Sequence, residues 1–335
     1  MHQLKKSILV IGCGSIGERH IRCFQKTGRA EVSAFDLNRE LLDAVTDRYG
    51  IPAVESVESA LADPELDIVL IASPAQTHVP LALEAARAGK HLLIEKPLSI
   101  STDDHDTLLQ TITEKQCIAA MAYVYRFMPV FNQLKQWLDR NDLGAPRLAV
   151  LKGGQPFDEK RPGYENSYFT RHETGGGVIQ DGLTHYTDLL SWFIGPCTSL
   201  VADAAHCRLP HVEVEDTVTI LARHGEVLST IHLNLWQAPS DFTFEIHFET
   251  GSIKAELHRN SWSTHLKGER DWTTRTLPPM ERDDPYVAQA NGFLNILEVI
   301  PAPCASVNAG IRAVHVCQAA LQTNQSRQWV DLTLP

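Results

Sequence analysis

The chain has 335 residues, 43% of them apolar, with 30 Lys and Arg against 41 Asp and Glu for a formal charge of -11. That supplies enough apolar material for a large core, and the length points to two domains rather than one. The acidic balance and the lack of any long basic run exclude a general affinity for nucleic acid or anionic membrane, and no segment approaches the length of a membrane span.

The start, "MHQLKKSILVIGCGSIG", passes from a short polar lead straight into an apolar run. It shows neither the separate apolar segment nor the cleavage site of a signal peptide, so a cytoplasmic location is expected. Seven cysteines at positions 13, 23, 117, 197, 207, 304 and 317 form no CxxC pair and no disulfide framework. Reduced thiols are the simplest account.

Over the first 125 residues, short apolar runs alternate with amphipathic stretches. The runs are "SILVIG", "EVSAFD", "DIVLIAS", "HLLIEKP" and "CIAAMAYVY". Continuous apolar strands separated by helices imply a parallel sheet covered on both faces, a doubly wound α/β domain.

Within the first turn, "ILVIGCGSIGERH" sets Gly12, Gly14 and Gly17 in GxGxxG spacing after a strand and at a helix start. Glycine permits the tight turn and a close approach to a pyrophosphate, and the helix opening at Ser15 and Ile16 presents unpaired amides to its charge. The second strand ends in Asp36, nineteen residues after Gly17, where a carboxylate can accept from ribose hydroxyls. Asp36 would repel a 2'-phosphate, Leu37 adds no positive charge, and Arg39 stands further on, so NAD is favoured over NADP. Asp is also common as the cap of a following helix, and both roles can coexist.

Further along, "IASPAQTH" places Ser73, Pro74 and His78 beyond a strand end, and "LLIEKP" places Glu95 and Lys96 at another. Ligands of open α/β sheets bind at such carboxyl edges, so these residues join the expected cofactor contacts. On residue type alone, Glu95 and Lys96 also suit a surface ion pair, and His78 an exposed helix start.

After about residue 125 the rhythm changes. A helix at 130 to 144 precedes the strand-like "RLAVLKGG", and a second helix is expected over "GGGVIQDGLTHYTDLLSWFIGP" (175 to 196). Then come "SLVADAAHC", "DTVTILARH", "EVLSTIHLNLWQ", "DFTFEIHFET" and "SIKAEL", with His224-Gly225 marking a tight hairpin. A mainly antiparallel open sheet with helices on one side follows. Two more helices are expected near the end, at "YVAQANGFLNILEVI" and "AGIRAVHVCQAALQT". The expected boundary divides a first domain of residues 1–122 from a second of residues 123–335.

On the 175 to 196 helix, Asp181, His185 and Asp188 fall within about 60° of one another at roughly 100° per residue. The stripe reads either as an ordinary wetted face or as a site. Tyr123 and Arg126, near the domain junction, carry two readings as well: substrate contact, or packing and a surface ion pair. The local cluster "HCRLPH" at 206 to 211 lacks the spacing of a zinc site, and no metal is expected.

Taken together, "GCGSIG", "FD" at 35 and 36, "SPAQTHVPLALEAARAGKHLLIEKPLS", "YRFMP" and "GGGVIQDGLTHYTDLL" resemble the Gfo/Idh/MocA family of glucose-fructose oxidoreductase and inositol dehydrogenase, over almost the whole chain. The resemblance implies a Rossmann-type domain followed by an α+β domain, with Lys96 and His185 meeting beside the nicotinamide and Asp181 close by. It implies an NAD-dependent dehydrogenase acting on a secondary alcohol or ketone of a sugar, cyclitol or related polyol, assembled as a homodimer or homotetramer through its open sheet. Leu183 departs from the family, in which many members have a glycine. The Trp-Arg often seen before the triple glycine is not obvious either. Two rival readings remain: an NAD-dependent glycoside hydrolase of the same fold, and a non-catalytic NAD-binding sensor.

Overall fold

β1 (Lys6–Ile11), β2 (Ala30–Phe35), β3 (Ile68–Ile71), β4 (His91–Ile94) and β5 (Ala119–Met121) run parallel to one another, in the spatial order β5-β4-β3-β1-β2. The computed structural model describes residues 5–333. Parallel neighbours need crossovers, supplied here by α1 (Ser15–Thr27), α2 (Arg39–Tyr49), α3 (His78–Arg87) and α4 (His105–Glu114). Because helices cover the sheet, the strands are apolar on both faces: Ile8, Leu9 and Val10 of β1 and all of β3 are fully buried. The strand order reverses between β1 and β3, and the crevice beyond the carboxyl ends of such a switch point is where ligands of this architecture sit.

A second sheet holds nine strands. After α5 (Pro129–Leu138) come β6 (Pro146–Gly154), the helix α6 (Leu183–Ile194), β7 (Ser199–Ala205), β8 (Thr217–His224), β9 (Val227–Asn234), β10 (Asp241–Phe248), β11 (Gly251–Glu256), β12 (Ser261–Leu266) and β13 (Thr273–Thr276). Their order is β13-β12-β11-β10-β6-β9-β8-β7, closed by the short strand Val330–Asp331, and among the described residues only β6 and β9 of this sheet pair in parallel. β8 alternates buried and exposed residues along its length, so one face is covered and the other open. Gly225, at φ 61°, and Glu226 form the two-residue turn from His224 to Val227.

β12 and β13 have no counterpart among the strands expected from the sequence. β13 reads Thr-Thr-Arg-Thr and is exposed throughout, so it carries no apolar alternation to betray it. The expected helix over 175 to 196 is also modified: a π-helical turn, Val178–Gly182, precedes α6.

The described residues divide into two compact units, one within Met1–Phe127 and Glu281–Ile311, the other within Met128–Met280 and Arg312–Pro335. This differs from the expected division at residues 122 and 123, because α7 (Asp284–Leu297) returns to the first unit; α8 (Val307–Ser326) follows it. The return rests on contacts that chain order hides. Arg22 donates to both oxygens of Asp283, at 2.6 and 2.8 Å, and Arg29 donates to Asn295 at 2.8 Å and Glu298 at 2.9 Å. Ala290, Phe293 and Leu294 join Ile21 and Phe24 in one core. The Arg22 hydrogen bond holds the Asp283 carboxyl at about 2, below its ordinary value. Among the described residues, no helix is long and apolar enough to cross a membrane.

Candidate functional site

The glycine loop is built by exclusion. A Cβ on Gly17 would lie 1.8 Å from the Gly12 carbonyl oxygen, and one on Gly12, at φ 100°, would lie 2.6 Å from that of Ala72. Gly14 is different: it is exposed, and nothing lies within 4 Å of the place a Cβ would take. It is the N-cap of α1, and no side chain caps the helix there. The first amides, on Ser15, Ile16 and Gly17, therefore have no side-chain cap among the described residues, and the space beside Gly14 is open. That arrangement fits a pyrophosphate, since backbone N–H groups and the helix dipole both favour an anion.

Asp36 braces the same loop. Its Oδ2 accepts from the Cys13 amide at 2.7 Å and its Oδ1 from the Asn38 amide at 2.8 Å. The cap of α2 is Asn38, whose side chain accepts from the Leu41 amide, so the helix-cap reading of Asp36 is corrected. Each carboxylate oxygen keeps acceptor capacity for a ribose hydroxyl. Leu37 is exposed, and Arg39 is held by Asp43 at 2.9 Å, one turn along its own helix. The Cys13 thiol is pushed up to about 12 by burial and by the Asp36 charge, which keeps it protonated.

At the end of β3, Ser73 Oγ lies 2.7 Å from Thr77 Oγ1, and Pro74 is exposed. His78 does not reach outward. It is buried, with Nδ1 2.8 Å from the Pro97 carbonyl and Nε2 2.8 Å from that of Ser73, so its ring staples two strand-end loops together. Burial lowers its pKa against the pull of those carbonyls. By residue type and position His78 suits a cofactor contact or an exposed helix start; its burial and its two ring contacts make it instead a brace for the loop that contains Ser73.

The end of β4 places Glu95 and Lys96. Glu95 is only 5% exposed, which corrects the surface ion-pair reading. Its Oε1 lies 2.7 Å from His20 Nε2, and its Oε2 accepts from the Lys96 amide at 3.0 Å. Burial pushes this carboxyl up, but the His20 hydrogen bond and the Lys96 charge outweigh it and hold the group below the usual carboxylate range. Lys96 itself is half-buried. Beyond β5, Tyr123 is 1% exposed and Arg126 half-buried, so burial favours the packing reading for Tyr123.

In the second unit, the polar stripe is not wetted: Asp181 is 7% exposed and Asp188 1%, with His185 half-buried. Three glycines let the chain enter this helix. Gly177, at φ 87°, would bring a Cβ within 2.5 Å of Glu215 Oε1, and a Cβ on Gly176 would lie 2.2 Å from the Phe169 carbonyl oxygen. Buried Glu215 accepts from the Ile179 amide at 3.0 Å, and its other oxygen lies 2.6 Å from His172 Nε2. That bond raises the His172 pKa.

The segment between β6 and the π-helical turn is ordered by its own aromatic cluster, with the rings of Phe157 and Phe169 4.6 Å apart. It brings Tyr168 to the stripe, where the hydroxyl donates to Asp181 Oδ1 at 3.0 Å and accepts from Arg161 at 3.2 Å. Sequence reasoning did not select Tyr168, His20 or Glu215, since no spacing signals a partner many residues away. His206 and Cys207 form no metal site: His206 Nε2 lies 2.6 Å from the Leu209 carbonyl, and the Cys207 amide donates to Asp216. Among the described residues no group of three or more His, Cys, Asp and Glu is placed to hold a metal ion.

Residues 6–123 match the family model of an oxidoreductase family with an NAD-binding Rossmann fold, and residues 131–254 match the GFO/IDH/MocA C-terminal domain. An inositol 2-dehydrogenase of Corynebacterium glutamicum is 31% identical over 256 residues, 70% of each chain. Another, of Rhizobium meliloti, is 22% identical over 96% of this chain and 98% of that one. Among solved structures, levoglucosan dehydrogenase in complex with NADH is similar in fold, with a TM-score of 0.89 at 20% identity over 99% of this chain and all of that one.

Proposed function

The chain belongs to the Gfo/Idh/MocA family of oxidoreductases, with an NAD-binding Rossmann fold, and from that premise we propose that it is a dehydrogenase transferring hydride between nicotinamide and a secondary alcohol or ketone of a sugar or cyclitol. The observation that carries the chemistry is the burial of the Asp181 and Asp188 carboxyls beside half-buried His185, which a merely solvated helix face would not show. Relatives named for inositol and for levoglucosan supply the substrate class.

Bound NAD would supply a carbon that accepts the hydride. The chain must handle the proton and the developing charge on oxygen. His185 is the base for the hydroxyl proton, and Asp181, one turn earlier, orients its ring and favours the protonated form. Lys96 donates to the reacting oxygen and stabilises its alkoxide character. Gly12, Gly14 and Gly17 with Ser15 and Ile16 hold the pyrophosphate, and Asp36 takes the ribose. The Asp36 carboxylate would repel a 2'-phosphate, which supports NAD over NADP.

The test is NADH formation with myo-inositol, scyllo-inositol, levoglucosan and a panel of sugars and sugar acids, with NADP in parallel. Lys96→Ala and His185→Ala should each lose turnover by about a hundredfold or more while still binding NADH. Undiminished rates in both variants would remove these residues from the chemistry.

Assembly through the open face of the nine-stranded sheet is part of the same proposal. Leu148 and Leu228 are register partners there, with Leu221 on the next strand, all three exposed. Light scattering should give a mass of two or four chains, and a monomer would refute it.

A further inference from the structure

His20 sits on α1, six residues after Gly14, and its side chain is 1% exposed. Its neighbours on the buried face of this helix are Ile21, Cys23 and Phe24, so packing alone would be served by another apolar residue. Its ring nitrogen Nε2 lies 2.7 Å from Glu95 Oε1, while Nδ1 has no hydrogen-bond partner among the described residues. Buried polar atoms are ordinarily satisfied, so this ring is held by one bond, together with an edge contact to the Tyr286 ring at 6.0 Å. Glu95 is in turn committed on both sides: Oε1 faces His20 and Oε2 accepts from the Lys96 amide, while the Glu95 amide donates to Ile71. An ionised carboxylate only accepts, so the hydrogen between the two side chains belongs to His20.

We propose that His20 is a positioning residue: through Glu95 it ties the helix that opens at the glycine loop to the backbone of Lys96. The tie rests on the reading of Lys96 given above for its catalytic meaning, though not for its existence. Without the His20 donor, a buried carboxylate at 5% exposure lacks its side-chain partner and turns, releasing the Lys96 amide. Lys96 then loses a fixed starting point for its side chain, and misplacement of a donor by a small distance is costly to rate.

The experiment compares wild type with His20→Phe, which fills the space without a donor, and His20→Gln, whose amide nitrogen can donate to Glu95. Hydrogen exchange resolved at the Lys96 amide should rise by about tenfold or more in the Phe variant, the size of one hydrogen bond to a charged group. The Gln variant should recover most of that protection, with exchange in β1 unchanged in both and NADH affinity altered by less than about threefold. On any panel substrate that wild type turns over, kcat should fall in the Phe variant with little change in KM for NAD.

Unchanged Lys96 exchange, or a rise shared equally by β1, would overturn the proposal. So would a Gln variant as unprotected as Phe. If the Phe variant does not fold, Glu95→Gln serves in its place, since an amide whose oxygen faces His20 turns its nitrogen to Lys96. Full turnover by Lys96→Ala would defeat the reading of Lys96 and leave the exchange result to decide the tie.

Discussion

The glycine motif at the start of α1, with Gly12 and Gly14 before the helix and Gly17 in its first turn, and the three glycines before the π-helical turn at Val178–Gly182 each lie where a helix opens. At α1 no side chain of the described residues caps the helix: Gly14 is exposed, and nothing among them lies within 4 Å of a Cβ placed on it. At the second entrance the chain supplies its own anion. Glu215 accepts from the Ile179 amide at 3.0 Å, and Gly177 is a glycine because Glu215 Oε1 would lie 2.5 Å from a side-chain carbon. The difference teaches that glycine spacing alone does not mark an anion site. A helix N-terminus attracts negative charge in both places, and what separates a binding site from a structural joint is whether a carboxylate of the same chain already occupies it.

The largest effect expected from this contrast comes from Gly17→Ala. Its Cβ has no room 1.8 Å from the Gly12 oxygen, so unfolding measurements should show a loss of about 3 kcal/mol, with NADH binding lost alongside. Gly14→Ala is the sharper partner: its φ of -61° suits any residue and its surroundings are open, so the melting temperature should hold while NADH affinity falls about tenfold as the methyl enters the ligand's space. Normal NADH affinity in that variant would break the comparison, because the open space beside Gly14 would then not be the seat.

A smaller effect is expected at the other entrance. Glu215→Gln should cost about 1 to 2 kcal/mol in chemical denaturation through a weaker hydrogen bond at the helix start, with NADH affinity unchanged. Smallest is the pH response of the same joint. The folded pKa of His172 is raised above 6.5 by its bond to Glu215, so its contribution is complete below the unfolded value and is lost as pH rises through the folded one. The protection factor of the Ile179 amide, its exchange corrected for the intrinsic base-catalysed rate at each pH, should therefore fall from neutral to mildly alkaline pH in wild type and stay level in His172→Gln. Equal responses in the two proteins would remove His172 from the joint.

Much of the fold was legible because its signals are local. The apolar runs ending at Ile11, Ile71 and Ile94 read as buried parallel strands from composition alone, and glycines 12, 14 and 17 declared a tight turn by stereochemistry. β13 was illegible for the complementary reason: four exposed residues, none of them apolar, carry no periodic signal, and they are a strand only because β12 pairs with them. The polar stripe of Asp181, His185 and Asp188 left two readings open, and it spans the π-helical turn and the start of α6 rather than one regular helix. Periodicity signals that the polar residues recur together, while the π-helical turn at Asp181 and the burial of both carboxyls depend on which segments fold against that side.

The sequence by itself determined the strand and helix alternation, the glycine loop, the acid at the end of β2 and the lysine at the end of β4, since each follows from neighbours within a few residues. Only the tertiary structure decided that His78 braces a loop, that Asn38 rather than Asp36 caps α2, and that α7 returns to the first unit. The same holds for the pairing of His20 with Glu95, 75 residues apart, and of Ile179 with Glu215, 36 apart. Conformational preference is a property of short stretches, whereas the burial and partnering of a charge are set by residues distant in the chain, and it is those contacts that turn a titratable side chain into a brace, a cap or a reacting group.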